Sequence, residues 1–352
     1  MSTTFKGDWN SYLLPASTTA FPYAEQPKQN TAITTKGLVT WSRVRVLDSS
    51  LQLATVNIYD DRGRVIQTQS ENITGGIDVT TTQYSWAGWL LVTVQKQQEK
   101  KGTVSQTTVV VTKMTNDDLG RLVRTEMKQS NSSIAQGAMP DNYATISEIG
   151  YDALGQVANK KIGRRRSSAS AYTTTPLETQ DYDYNIRGWL LGVNRGYVKD
   201  AATTSTTATA TTTAVSSGEM FTESSMDIQS VSFPSKNFFG FDLGYDRRDN
   251  GRINGLLYDT ARFDGNITGM TWKGDNDRKI YDFGYDPVSR LTAAKFGQLT
   301  GSTFSNATVK YDVSNLTYDG NGNILTMYQY GLKTPTSSDA IDKLGYHYCV
   351  IR

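Results

Sequence analysis

Two residue types that commonly build reactive sites are almost missing. There is one cysteine, Cys349, so no intrachain disulfide can form. There is one histidine, His347, and with a single cysteine this excludes a Cys/His zinc centre. A Ser/His/Asp triad would have to recruit His347, which reads instead as an exposed or partly packed side chain on a terminal strand. Gly-x-Ser-x-Gly, the Walker phosphate loop and His-Glu-x-x-His are all absent. No apolar run approaches the roughly 20 residues that cross a bilayer as a helix. Met1 to Pro15 holds Lys6 and Asp8 without a continuous apolar stretch, so it does not read as a signal peptide; export would need a signal outside this chain. Lys plus Arg (36) balances Asp plus Glu (34), which removes the electrostatic reason to expect nucleic acid or an anionic membrane as partner. Hydrophobic residues are only 37%, too few for a thick core but enough for a sheet wet on at least one face.

What is abundant favours strands and turns. Tyr, Thr and Val suit pleated surfaces, and 30 glycines punctuate the chain. One pattern recurs: Tyr, a small polar residue, two variable residues, Gly, one long residue, then an aliphatic. It reads Tyr59-Asp60-Asp61-Arg62-Gly63-Arg64-Val65, then Tyr84-Ser85-Trp86-Ala87-Gly88-Trp89-Leu90. Asn116-Asp117-Asp118-Leu119-Gly120-Arg121-Leu122 loses the Tyr; Tyr151-Asp152-Ala153-Leu154-Gly155-Gln156-Val157 and Tyr184-Asn185-Ile186-Arg187-Gly188-Trp189-Leu190 follow. Later copies are Tyr285-Asp286-Pro287-Val288-Ser289-Arg290-Leu291 and Tyr318-Asp319-Gly320-Asn321-Gly322-Asn323-Ile324, with a shortened one at Phe263-Asp264-Gly265-Asn266-Ile267. Each copy predicts strand, tight turn, strand. Val44, Val46, Ala54, Val56 and Ile58 alternate with the period of a half-buried strand. Asp60 can bond amides two residues on, and Gly63 can take the positive φ that closes the turn. Copies recur at intervals of about 22–35 residues, one hairpin plus linkers; single hairpins are marginal and must pair with neighbours. The expected fold is all-β: a coiled antiparallel sheet of repeated hairpins, forming a spiral shell or large open barrel.

The expected organisation is an irregular lead-in over 1–43, a repeat wall over 44–200, a Thr/Ala/Ser insertion over 201–236, and a second, truncated stretch of wall over 237–352. A further loop is expected from Gln129 to Asn142, and the last residues, 346–352, read as a new strand cut short. Both ends look internal to a larger array, because terminal repeats need a polar cap.

The remaining candidates weaken on inspection. Asp60-Asp61 and Asp117-Asp118 are acid pairs, but in the repeat register they are turn residues. Asp319-Gly320-Asn321-Gly322-Asn323 imitates the start of a calcium loop, yet Ile324 stands where the glycine is needed and Tyr330 where the acid is needed. Gly163-Arg164-Arg165-Arg166-Ser167 lacks the aromatic interleaving of a phosphate-contacting patch. Trp86, Trp89 and Trp189 are the candidate binding aromatics: exposed, they would stack on a sugar or a protein; packed, they belong to the wall. No catalytic residue, metal ligand or cofactor site is expected.

These heptads resemble the tyrosine/aspartate (YD) repeats of the rearrangement-hotspot (Rhs) family and its toxin-complex relatives. The resemblance runs over residues 44 to 324, and Phe238-Phe239-Gly240-Phe241-Asp242-Leu243-Gly244-Tyr245-Asp246 looks like the family's aromatic strand between repeats. It implies a hollow shell of spiralled sheet on a secreted or cell-surface bacterial protein. The partners it implies are further repeats of a larger polypeptide and an encapsulated toxin. Such shells usually end in an Asp-Pro-x-Gly-Leu region tied to autoproteolytic release; this sequence contains none. The resemblance implies a non-catalytic shell segment; the alternative is a surface module binding a glycan or a neighbouring-cell receptor.

Overall fold

The computed structural model describes residues 4–8, 10–30, 35–168, 171–199, 237–246, 258–274, 277–300, 303–306 and 309–348. The Thr/Ala/Ser insertion assigned to 201–236 lies outside the described residues. Two compact units are present, residues 1–150 with 160–177, and residues 151–159 with 178–352.

The first unit begins with a segment whose only regular element is a 3-10 turn, Asn10–Tyr12. Strands β1 (Trp41–Arg45), β2 (Gln52–Tyr59), β3 (Val65–Glu71), β4 (Ile77–Tyr84), β5 (Leu90–Lys101), β6 (Val104–Asn116), β7 (Leu122–Asn131) and β8 (Ala144–Tyr151) follow. Each pairs antiparallel with the next. β9 (Val157–Ser168) and β10 (Ala171–Tyr184) contribute residues to both units. The second unit continues with β11 (Leu190–Val193), a short helix α1 (Arg195–Lys199), β12 (Phe239–Gly244), β13 (Gly269–Gly274), β14 (Asp277–Tyr285) and β15 (Leu291–Thr300). It ends with β16 (Thr303–Ser305), β17 (Val313–Tyr318), β18 (Ile324–Thr334) and β19 (Ser337–Gly345). Neighbours in sequence pair here too, β17 returning to β15 past the short β16. The fold is all-β, an antiparallel succession of hairpins, as the repeat pattern predicts. Among the described residues β1 pairs only with β2, so the sheet is open at that edge.

The sequence reading needs three corrections. The loop expected at Gln129 begins only after Asn131, because β7 pairs with β6 as far as Thr108–Asn131. The strand expected at the C-terminus ends earlier: β19 stops at Gly345 and residues 346–348 are irregular, while 349–352 lie outside the described residues. Val44 does not share the inward face of Val56 and Ile58; all of β1 is exposed, since nothing covers an edge strand there.

The cores are small. Val56, Ile58 and Ile66 form one cluster, with Phe5 and Tyr84 against it. Leu91, Val92, Val94, Val109 and Val111 form another, capped by Leu13 and Ala24 from the N-terminal segment. On β4 the buried set is Val79, Thr81 and Gln83, the period-two pattern of a strand with one covered face. That face is notably polar: Gln67, Gln69, Thr81 and Gln83 are fully buried.

Candidate functional site

The repeat turns share one construction. In the first, the Asp60 carboxylate accepts the amides of Arg62 (3.0 Å) and Arg64 (2.8 Å), while its own amide donates to Arg64 O (3.0 Å). The same side-chain acceptor pattern recurs from Asp117 to the amides of Leu119 and Arg121, and from Asp152 to those of Leu154 and Gln156. It recurs from Asn185 to Arg187 and Trp189, Asp286 to Val288 and Arg290, and Asp319 to Asn321 and Asn323. Ser85, one atom shorter, reaches only the Trp89 amide (3.0 Å). A short polar side chain two and four residues ahead of the amides is what this geometry requires. The residue between these two amides carries positive φ, for example +74° at Gly63 and +87° at Gly322. Ser289 takes φ +65° instead, and its hydroxyl bonds Asp264 (2.7 Å) in the preceding turn. Five turns close on a bulge that pairs the Tyr position with the aliphatic one: Tyr59 with Val65, Tyr84 with Leu90, Tyr184 with Leu190, Tyr285 with Leu291, Tyr318 with Ile324. Asn116 pairs with Leu122 in the same way. Gly88, Gly120, Gly155 and Gly188 occupy the position of Gly63, and Tyr151 precedes Asp152 at the end of β8.

Successive turns also interlock. Within the first unit the Arg64 guanidinium binds its own Asp60 through Nε (2.6 Å), donates to Ser85 O of the next turn (3.0 Å) and lies over the Tyr84 ring (5.0 Å). Tyr84 donates back to Val65 O (3.2 Å). Within the second unit Arg290 repeats this: Nε to Asp286 (2.7 Å), a donor to Asp319 O (3.1 Å), the guanidinium 4.7 Å from the Tyr318 ring. Tyr318 donates to Leu291 O (2.7 Å), Tyr285 to Ile267 O (2.7 Å), Tyr245 to Leu190 O (3.0 Å) and Tyr348 to Ile324 O (2.9 Å). In these five cases the tyrosine caps the carbonyl of the preceding copy's aliphatic residue, whereas Tyr59 of the first copy donates to Val39 O (2.8 Å). Tyr245 and Tyr348 fit this pattern although their heptads are incomplete, so the sequence search missed them; a Tyr-Asp pair at 245 and 246 was the available signal. The arginines after the turn glycine were visible only as exchanging with Trp.

The three tryptophans separate. Trp89 packs on the next turn, where a Cβ added to Gly120 would sit 2.6 Å from its ring. Trp189 packs at a tilt on Tyr245 (5.4 Å between ring centres) and against Gly265. Both are wall residues. Trp86 is 68% exposed, with Arg62 over its ring (5.4 Å), beside a cavity of about 660 Å³ lined also by Tyr23, Ser17 and Gln26.

The electrostatics follow the hydrogen bonds. Burial alone would raise the Asp117 carboxyl, but donors from Arg121 outweigh it and hold it below the ordinary range. Amide and guanidinium donors from Arg290 lower Asp286, and Asn323 lowers Asp319. Burial raises the Tyr84 and Tyr285 hydroxyls. One buried charge cluster lies elsewhere: Asp242, fully buried on β12, accepts from Arg195 Nε and lies 3.8 Å from Lys199, which fastens α1 to the sheet. Burial raises Asp242 and lowers Lys199. Among the described residues no group of three or more His, Cys, Asp or Glu is placed to hold a metal, and no helix is long and apolar enough to cross a membrane.

No family model matches the chain, and no curated protein matches it. Among solved structures it is similar to the TcdB2-TccC3-Cdc42 complex, at 11% identity and TM-score 0.28, over 85% of this chain and 14% of that one. It is similar to the Tc holotoxin pore of Photorhabdus luminescens, at 11% identity and TM-score 0.27, over 80% and 13%. It is also similar to a porin-like protein from Bacteroides uniformis, at 8% identity and TM-score 0.26, over 85% and 92%. The chain thus spans 14% of the length of the first of these.

Proposed function

We propose that this chain is a non-catalytic wall segment of an Rhs-type YD-repeat shell on a secreted or cell-surface bacterial protein, whose partners are further repeats and an enclosed toxic polypeptide. The observation that supports this reading is the use made of the motif. Its Asp shapes the turn, its Arg reaches the next turn, and its Tyr reaches back, so the most distinctive side chains are engaged in joining one copy to its neighbour. Side chains so engaged are not free for substrate chemistry. A wall of this kind grows by strand pairing, and β1 offers an exposed edge carrying Trp41 and Val44. Light scattering across a dilution series tests the reading: mass should rise with concentration, and the double substitution Trp41→Lys, Val44→Lys should abolish the rise by charging the edge. A chain that stays monomeric at every concentration overturns it.

A second reading, a surface module for a glycan or receptor, is favoured by Trp86 alone, because an exposed indole beside a cavity offers a stacking face. Its test is glycan-array binding that Trp86→Ala abolishes and Trp89→Ala, in the wall, leaves in place.

A further inference from the structure

The buried face of β3 and β4 is unusual in what it buries. A strand face that covers a core normally presents aliphatics, and a buried amide must find partners for both its donor and its acceptor. Here three glutamines, Gln67, Gln69 and Gln83, are fully buried side by side. Most of their partners are not in the sheet. They are the main chain of the N-terminal segment, which crosses this face as an irregular peptide.

The contacts have a repeated form. Gln67 accepts the Lys6 amide through Oε1 (2.9 Å) and donates through Nε2 to Lys6 O (2.8 Å). Gln83 accepts the Leu14 amide (2.8 Å) and donates to Leu14 O (2.8 Å) and to Glu25 O (3.1 Å). In both, one side-chain amide closes a two-point pair with the N–H and C=O of a single residue. That is the bonding a neighbouring β-strand would provide, delivered by a side chain. Gln69 donates to Thr4 O (3.1 Å), and among the described residues no donor reaches its buried Oε1, which leaves an acceptor for one more main-chain N–H. The glutamines are held in turn: Gln67 Nε2 also donates to Thr81 Oγ1 (2.8 Å) and Gln69 Nε2 to Gln67 Oε1 (2.9 Å). Side chains anchor the segment at separate places: Glu25 pairs with Arg62 (2.9 Å) and Arg64 (2.7 Å), Phe21 lies against Trp89, and Tyr12 and Leu14 pack beside Leu13. Leu13 and Ala24 are the segment's buried residues, with Phe5 packed at the other cluster. At the glutamines themselves the segment is gripped through its main chain, so this part of the face reads conformation, not sequence.

We infer that the Gln67–Gln69–Gln83 face is a binding site for an extended peptide, recognised through its main chain, and that residues 4–29 are a ligand held there in cis and exchangeable for the same segment supplied in trans. Its side-chain requirements are an apolar residue for the Leu13 socket, one at the Phe5 position and a carboxylate at Glu25 for Arg62 and Arg64. The inference is independent of the shell reading, since it concerns one face of the first unit and a segment already seated on it.

The full chain tests it. Residues 31–34 join the segment to the rest, and replacing them with a site-specific protease sequence allows the tether to be cut with every other residue kept. After cutting, a fluorescent peptide of residues 1–30 should exchange into the protein, seen as a rise in anisotropy that unlabelled peptide reverses. Methylating the main-chain nitrogens of Lys6 and Leu14 removes both donors to the glutamines and should weaken that peptide about 100-fold. Replacing Lys6, Asp8 and Gln26 by Ala while keeping Phe5 and Leu13 should change its affinity by no more than about threefold. The opposite pattern overturns main-chain recognition. Failure to exchange, or loss of the β circular-dichroism signal on cutting, overturns exchangeability, because the segment is then an integral strand of the fold. In the uncut chain, Gln67→Met with Gln83→Met should speed hydrogen exchange at the Lys6 and Leu14 amides at least about tenfold, and unchanged protection also overturns the inference.

Discussion

Replacing Arg64 by Lys keeps the charge and removes the geometry, so it isolates what the planar guanidinium does. Arg64 makes three charged hydrogen bonds from one head: Nε to Asp60 (2.6 Å), one terminal nitrogen to Ser85 O (3.0 Å), the other to Glu25 (2.7 Å). It also covers the Tyr84 ring. Its side chain is 21% exposed. A lysine ammonium is a compact point charge and reaches one of these acceptors at a time. Well-buried charged hydrogen bonds contribute about 1.5–3 kcal/mol each; at this exposure about 1 kcal/mol is the better figure, and two are lost. Asp60 is not orphaned, because it still accepts the Arg62 and Arg64-position amides. The expected cost is about 2 kcal/mol for Arg64→Lys and about 3 kcal/mol for Arg64→Ala, which also loses the ring contact. Because the chain has two units, a single global unfolding curve is a poor readout. Hydrogen exchange by mass spectrometry, followed on peptides covering 54–84 with second-unit peptides as internal reference, reports the local opening instead. A cost of 2 kcal/mol corresponds to about 30-fold faster exchange there. Exchange within about threefold of the parent for Arg64→Lys would refute the interlock.

Tyr318→Phe removes a 2.7 Å bond to Leu291 O and should cost about 1 kcal/mol; Tyr84→Phe, whose bond is 3.2 Å, should cost less, and the reverse order in local hydrogen-exchange rates counts against the capping pattern. Gly322→Ala meets open space and should cost only the left-handed backbone penalty of about 1 kcal/mol, whereas Gly120→Ala also collides with Trp89 and should cost about 3 kcal/mol; equal costs would mean that the indole moves aside freely. Asp117, Asp286 and Asp319 have carboxyls held below the ordinary range, so their contribution to stability is present above the unfolded-state value of about 3.9 and is lost as the pH falls through the folded values. Burial-raised Asp242 has the opposite sign. The test is therefore the triple variant Asp117→Asn, Asp286→Asn, Asp319→Asn, whose stability should fall less steeply below about pH 4 than the parent's, and an acid limb of unchanged slope shows that the turns do not carry the effect.

Period and turn chemistry are local, and the sequence by itself determined them. The alternation in Val56 and Ile58, and a polar residue three ahead of glycine, dictate strand, turn and strand at Asp60, Asp117 and Asp319 whatever surrounds them, because the bonds involved span four residues. Only the tertiary structure decided which side chains join one turn to the next. Arg64 and Tyr84 are about twenty residues apart, and nothing in the spacing says that the guanidinium lies over that ring; hairpin stacking brings them together. The same holds for the tryptophans. Trp86 and Trp89 differ by three positions in one turn, yet one is exposed and the other fills the space above Gly120. The glutamine face was the least legible. Gln67, Gln69 and Gln83 share the inward parity of their strands, but parity alone assigns polar residues to solvent. They are buried where a distant segment, Thr4 to Glu25, brings main-chain N–H and C=O groups to them.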